Sequence, residues 1–203
     1  MKFERWTVFA VLSSGVAASA LALAAADRFD PDGLRMAIRF TARTSLALFC
    51  LAYAASSLRR LWPVTATSWL LRNRRYIGLS FAASHVAHGC AITALASTAP
   101  DVYRALTTPA SYVFGGLGYL AIAAMAATSF DTTAAWLGAA RWRRLHAICG
   151  FYLWAQFCIS FGKRIPASPG YATFLAILFA VMALRLMARD PAAKMPQQAH
   201  GAN

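Results

Sequence analysis

Acidic residues are scarce in this sequence. Seven Asp and Glu stand against twenty Lys and Arg, and charged residues make up 13% of the chain while 59% is hydrophobic. A soluble domain needs a larger polar fraction to cover its surface, so the composition describes an integral membrane protein. Paired carboxylates for acid–base chemistry are missing, as are a glycine-rich phosphate loop and a Ser/His/Asp set. The one buried acid candidate is Asp131, at a helix end. Four cysteines (Cys50, Cys90, Cys149, Cys158) fall inside apolar stretches with no C-x-x-C pair. They read as small buried hydrophobes, which excludes a disulfide frame and a zinc site built on cysteine. The length suits one compact domain and leaves no room on this chain for a flavin or nicotinamide domain.

Long apolar runs are what the chain does have. A hydrocarbon core of ~30 Å takes about 20 apolar residues of helix. Six segments approach that length: Trp6–Ala26, Phe40–Leu58, Tyr76–Thr98, Ala110–Ser129, Leu145–Gly162 and Pro169–Met187. Arg43 and Arg185 lie near segment ends, where a long side chain can snorkel to the interface. Pro31, Pro63, Pro100, Pro166 and Pro191 punctuate the gaps. The first segment, with Lys2 and Arg5 before it and Ala24-Ala25-Ala26 at its end, also has features of a signal peptide. Its length favours a retained helix. The expected fold is therefore all-α, a six-helix transmembrane bundle over 1–189 followed by a disordered cytoplasmic tail over 190–203.

Charge sets the expected orientation. Thirteen of the twenty Lys and Arg fall on the side of the N-terminus, including Arg59-Arg60, Arg72 to Arg75 and Arg141 to Arg144. This excess places both termini in the cytoplasm. The net charge of +13 sits in short runs between apolar stretches. That pattern suits anionic lipid headgroups and not nucleic acid, which needs a soluble basic face.

Chemistry is left to histidine. His85, His88 and His146 lie within or beside the membrane, where ionisable groups are costly and functional by default. The plain alternative is a neutral imidazole bonding a neighbouring helix. His85 and His88, three apart, share adjacent parts of one helix face. Gly78 precedes His85 by seven and Gly89 follows it by four, while Gly150 follows His146 by four. Glycine beside histidine clears volume for something flat, and Phe81, Phe151, Tyr152, Trp154 and Phe157 crowd the same helices. Haem held by axial histidines is the economical explanation, with propionates paired to the arginine clusters. At ~1.5 Å rise per residue His85 lies about 15 Å beyond Arg75, His88 about 20 Å, and His146 about 3 Å beyond Arg144. The ligand pairing is therefore open. Zinc or copper would need three or four converging ligands, with Cys149, Cys90 or Met125 completing the set, and no spacing supports this.

The stretch Arg74-Arg75-Tyr-Ile-Gly78-Leu-Ser-Phe-Ala-Ala-Ser-His85-Val-Ala-His88, then Thr128-Ser129-Phe130, then Trp142-Arg-Arg-Leu-His146 resembles the ferric reductase-like transmembrane superfamily. Within it, the likeness is greatest to the bacterial haem-binding subunits of methionine sulfoxide reductase. It covers roughly residues 59–163. The resemblance implies a multi-pass protein of the bacterial inner membrane that carries electrons across it on haem b, one or two per chain. A periplasmic reductase is an expected partner, and because no flavin or nicotinamide module fits on the chain the expected donor is quinol or a separate flavoprotein. By position His88 and His146 match the family's ligands of the third and fifth helices, with His85 a replacement candidate. Arg74 stands where related oxidases carry another histidine. The family's second fifth-helix histidine would fall at Ile159, where this chain departs from the pattern. The implied site is thus His85, His88 and His146 at the iron, with Arg74, Arg75, Arg144, Gly78, Gly89 and Gly150 around the macrocycle. The readings that compete with it are a haem-free scaffold or assembly protein and a small transporter; the chain's halves show no repeat to support the latter.

Overall fold

Local signals decide where each helix begins. Asp30 accepts a hydrogen bond from the Gly33 amide at 2.8 Å, with Pro31 in the first helical position. Thr108 followed by Pro109 repeats the arrangement three helices later, and the Thr108 hydroxyl accepts from the Ser111 amide at 3.3 Å. In the computed structural model, residues 4–188 are described. They form eight helices: α1 Trp6–Ala26, α2 Pro31–Leu61, α3 Thr65–Thr98, α4 Pro100–Leu106, α5 Pro109–Ala127, α6 Asp131–Leu137, α7 Ala139–Gly162 and α8 Tyr171–Met187. The expected tail over 190–203, with Lys2, Arg189, Lys194 and His200, lies outside the described residues.

All six expected segments are helical, and five have different limits. The second helix runs 31 residues, from Pro31, and the third runs 34, from Thr65. Hydropathy marks only the apolar part of a helix, whereas the arginine-bearing turns that flank it satisfy their backbone in the same helical ladder. Two short helices, α4 and α6, fall where loops were expected. Four helices (α1, α3, α5, α7) are long and apolar enough to cross a membrane, and α8 is apolar but 17 residues long. α2 carries Arg35, Arg39 and Arg43 ahead of its apolar half.

The α1–α2 turn satisfies α1's last carbonyls. The Phe29 amide donates to the Ala24 carbonyl at 2.8 Å and the Arg28 amide to the Ala25 carbonyl at 3.0 Å, the paired bonds of a Schellman motif. Arg28 and Phe29 take φ values of 52° and 60°, in the left-handed region that usually falls to glycine. At the other sharp corner, between α6 and α7, Gly138 supplies a φ of 79°.

Five helices close a ring, each touching the next: α2 to α3, α3 to α5, α5 to α7, α7 to α8, and α8 back to α2. α1 packs outside, in the groove between α2 and α3. The α2–α3 hairpin is the broadest interface. Buried hydroxyls cross it, with Ser45 Oγ 2.9 Å and Thr44 Oγ1 3.2 Å from Ser84 Oγ, bonds that average about 0.6 kcal/mol each in a membrane interior. Midway along the ring Phe49, Phe81 and Phe157 pack together, at centroid separations of 5.3 to 6.2 Å. The Arg5 amide donates to Asn73 Oδ1 at 2.6 Å, and Arg60 Nη1 donates to the Ala188 carbonyl. Both ends of the described chain therefore lie at one end of the bundle, where α3 and α7 begin.

Gly33 is buried against the α1–α2 turn, and a Cβ there would stand 2.9 Å from Asp27 Cβ and 3.0 Å from the Ala24 carbonyl oxygen. Gly33→Ala is expected to cost about 1–3 kcal/mol through overpacking. Thermal unfolding in detergent reads this as a lower Tm; an unchanged Tm would contradict the close approach.

Candidate functional site

A cavity of about 570 Å³ occupies the end of the ring at which α3 and α7 begin and α2, α5 and α8 finish. That volume lies within the ~300–1,000 Å³ typical of cofactor and ligand sites. Its floor includes Phe49, Phe81 and Ile122, and its wall includes His146. Arg72, Arg74, Arg75, Arg143 and Arg185 all border it. An apolar floor beneath a cationic mouth suits an amphipathic guest with anionic groups at one edge.

Sequence drives this arrangement helix by helix. On α3, Arg74, Gly78, Phe81 and Ala82 recur at three- and four-residue spacing and so share a face. Gly78 meets nothing within 4 Å of where a Cβ would stand, so it leaves the cavity open on that side. On α7 the face is Trp142, Arg143, His146 and Ala147. His146 stacks on Trp142 (centroids 4.2 Å apart, planes 27°), and its Nε2 lies 3.0 Å from Thr128 Oγ1 at the end of α5. The Trp142 indole N–H donates to the Thr128 carbonyl at 2.8 Å. From α8, Arg185 turns inward: its Nη1 donates to the Tyr53 carbonyl at 2.7 Å and its guanidinium carbon sits 3.8 Å from the Tyr53 ring centroid.

Of the nine residues singled out in the sequence, the cavity gathers His146, Arg74, Arg75 and Gly78. His85 lies one turn beyond Phe81 on α3, with its ring 5.4 Å from Phe81 and 6.2 Å from Phe157, and does not line the cavity. His88 is a further turn on, its ring 5.4 Å from that of His85 and its Nδ1 3.0 Å from Thr41 Oγ1. Arg144 is exposed on the outer face of α7. The space beside Gly89 and Gly150 is taken by tyrosine rings: a Cβ at Gly89 would meet Tyr119 at 2.9 Å, and one at Gly150 would meet Tyr53 at 2.9 Å. Ile159 points outward, 65% exposed, while the buried positions nearby on α7 are Phe157 and Phe161. Among the described residues no three His, Cys, Asp or Glu side chains converge to hold an ion. The cysteines also differ from expectation: only Cys50 is buried, and Cys90 is exposed. Asp131 is not buried either; its side chain is 85% exposed.

Asp131 instead straps α6 to α3. Both its carboxylate oxygens face Arg75, one at 3.2 Å from Nη1 and the other against Nη2. The hydrogen-bonded guanidinium holds the carboxyl below its ordinary range. α6 lies across the mouth, with Ala134 on the cavity and Trp136 86% exposed, as an interfacial aromatic anchor does.

The residues present fit a haem in part. Volume, the opening at Gly78, an imidazole on the wall and the cationic rim all agree with it. His85 Nδ1 is moreover buried with no hydrogen-bond partner, a costly state that a ligand role would explain. Sequence reasoning missed Tyr53, Thr41 and the inward turn of Arg185. A lone arginine in the last apolar turn of α8 was the available signal.

The chain is similar to the protein-methionine-sulfoxide reductase heme-binding subunit MsrQ of Ralstonia nicotianae. Identity is 33% over 129 residues, which is 62% of this chain and 58% of the MsrQ protein. The chain thus spans less than two thirds of that relative's length. No protein-family profile matches the chain, and no solved structure does.

Two expectations follow. Because the folded pKa of Asp131 is depressed, its contribution is present at neutral pH and is lost as pH falls from about 3.9, the unfolded value, through the folded one. The Tm difference between wild type and Asp131→Asn should therefore be small, weakened by salt, and vanish on acidification; a gap that persists at low pH would exclude the ion pair as its source. Gly78→Leu should leave the unfolding free energy within about 0.5 kcal/mol of wild type while reducing any haem bound, read by absorbance per mole of protein.

Proposed function

We propose that this chain is a membrane-embedded haem b electron-transfer subunit with six spans and both termini in the cytoplasm. The cavity carries the reading: an imidazole, an open glycine and five arginines around an apolar space at one end of a closed helical ring. Similarity to a protein named as a haem-binding subunit supports it independently. For six spans, α2 and α8 count with the four apolar helices because both belong to the ring. For the orientation, the thirteen-to-seven division of Lys and Arg argues.

In this reading His146 would hold the haem iron in the cavity, and His85 and His88 form a second pair of imidazoles deeper on α3. When bound, haem b supplies a one-electron iron couple. The chain's own residues do the rest. Arg72, Arg74, Arg143 and Arg185 would neutralise the carboxylates of the group at the mouth. Phe49, Phe81 and Phe157 exclude water below it, and Trp142 holds the His146 ring in plane. Thr128 must release Nε2 of His146 if ligation uses that nitrogen. The proposed donor is quinol or a separate flavoprotein, and the proposed acceptor is a periplasmic reductase.

A haem-free scaffold draws on a different observation, namely that His88 and His146 each already hold a threonine across a helix interface. An optical spectrum separates the two. Protein purified from haem-supplemented cells is expected to be red, with a low-spin b-type spectrum, and His146→Ala should lose or shift it. A colourless wild type with intact helicity would rule out the electron-transfer reading.

A further inference from the structure

At the end of the bundle opposite the cavity, three elements bring two cations to one aromatic ring. Tyr171 opens α8, Arg164 stands just past the end of α7, and Arg43 reaches across from α2. Arg43 Nη2 donates to the Tyr171 hydroxyl at 3.3 Å, and its guanidinium carbon lies 5.6 Å from that ring's centroid and 5.9 Å from that of Phe174. The guanidinium carbon of Arg164 lies 5.8 Å from the same Tyr171 centroid. Phe161 and Phe174 pack against Tyr171 at 5.6 and 5.7 Å, an aromatic shelf of the kind found at a membrane–water interface. Attraction to the ring face accounts for either arginine singly; it does not offset the repulsion between the two. Among the described residues no carboxylate pairs with either one, the ion pairs there belonging to Arg35, Arg72, Arg75 and Arg104. Arginine can only donate hydrogen bonds. The Tyr171 oxygen already accepts from Arg43, and among the described residues its own hydrogen has no acceptor. The cluster is therefore rich in donors and positive charge and lacks an anionic acceptor.

We propose that Arg43, Arg164 and Tyr171 form a phosphate-binding site at the membrane boundary remote from the cavity. A phosphate group has oxygens enough to accept from two guanidinium forks and a phenol together, whereas a carboxylate has two. That chemistry reaches the site as a phospholipid headgroup or as free phosphate. The surroundings suit lipid, because α7 and α8 expose Ile159, Ile177 and Phe179, apolar surface along which acyl chains can lie. Basic pockets between membrane helices hold lipid headgroups in the same way. The site involves none of the cavity's residues and does not depend on the proposed function.

The test uses the full-length protein, stripped of lipid in detergent. Its probes are dioleoylphosphatidylglycerol, dioleoylglycerol (the same chains without phosphate) and inorganic phosphate. Binding is read by native mass spectrometry and by the rise in Tm that a ligand of the folded state confers. Phosphatidylglycerol should bind and raise Tm, and dioleoylglycerol should do neither. Arg43→Gln and Arg164→Gln should each weaken that binding about tenfold, the scale of one charge-assisted hydrogen bond. Tyr171→Phe keeps the ring and should weaken it less. Arg144→Gln removes one exposed cation from the far end of α7 and should leave binding unchanged. A matching rise in Tm with inorganic phosphate, lost in the same variants, would support the site with free phosphate as its occupant; a rise with phosphatidylglycerol alone supports it with lipid. Equal losses in Arg144→Gln and Arg43→Gln would reduce the effect to overall surface charge and overturn the site. So would undiminished phosphatidylglycerol binding by the double variant Arg43→Gln/Arg164→Gln, equal binding of dioleoylglycerol, or a wild type that binds neither phosphate probe.

Discussion

Within lipid a side-chain donor or acceptor has no water to fall back on, so the buried ones pair inside the bundle, with Ser13 Oγ and His85 Nδ1 the exceptions among the described residues. The fold is organised by that requirement more than by apolar contact, since hydrocarbon chains satisfy leucine as well as another helix does. Ser45 and Thr44 meet Ser84, Thr41 meets His88, Thr128 meets His146, and Trp154 donates to the Leu178 carbonyl at 2.9 Å. Each bond joins two helices and fixes their register. Two of them account for Thr41 and Ser45, which α2, the least apolar of the long helices, buries against α3.

Ring closure then separates two environments along the same axis. Aromatic packing fills the middle, where Phe49, Phe81 and Phe157 meet. Towards the arginine-rich end the filling stops, because Gly78 contributes no side chain and Arg74 and Arg185 cannot be driven into an apolar centre. An imidazole in the open part and two in the filled part are thereby held in different settings, although α3 and α7 run in the same direction.

Much of the architecture was legible in the sequence. Apolar runs located every long helix, and Pro31, Pro63, Pro100 and Pro109 sit at or just before helix starts. The limits of α2 and α3 were not legible, since hydropathy is blind to helix that continues through arginine. At the site, the histidines, glycines and arginine clusters pointed to α3 and α7, both of which line the cavity, but the seven-residue spacing that paired Gly78 with His85 did not bring His85 to it. What spacing could not reveal was which glycine faces space and which faces a ring: Gly78 and Gly150 look alike in one dimension, and only Tyr53, about a hundred residues before Gly150, distinguishes them. Ile159 shows the same limit, because counting along α7 does not say which side of the helix meets lipid.

The cationic rim has a consequence for selectivity. Guanidinium groups gathered at a low-dielectric opening concentrate anions there and repel cations, so the mouth works as a charge filter ahead of any fit to the walls. Its reach is limited to a Debye length, about 8 Å at physiological ionic strength, and Asp131, clamped on Arg75, locally offsets it. How quickly a negatively charged guest is captured is thus governed by dissolved salt as much as by the shape of the chamber behind.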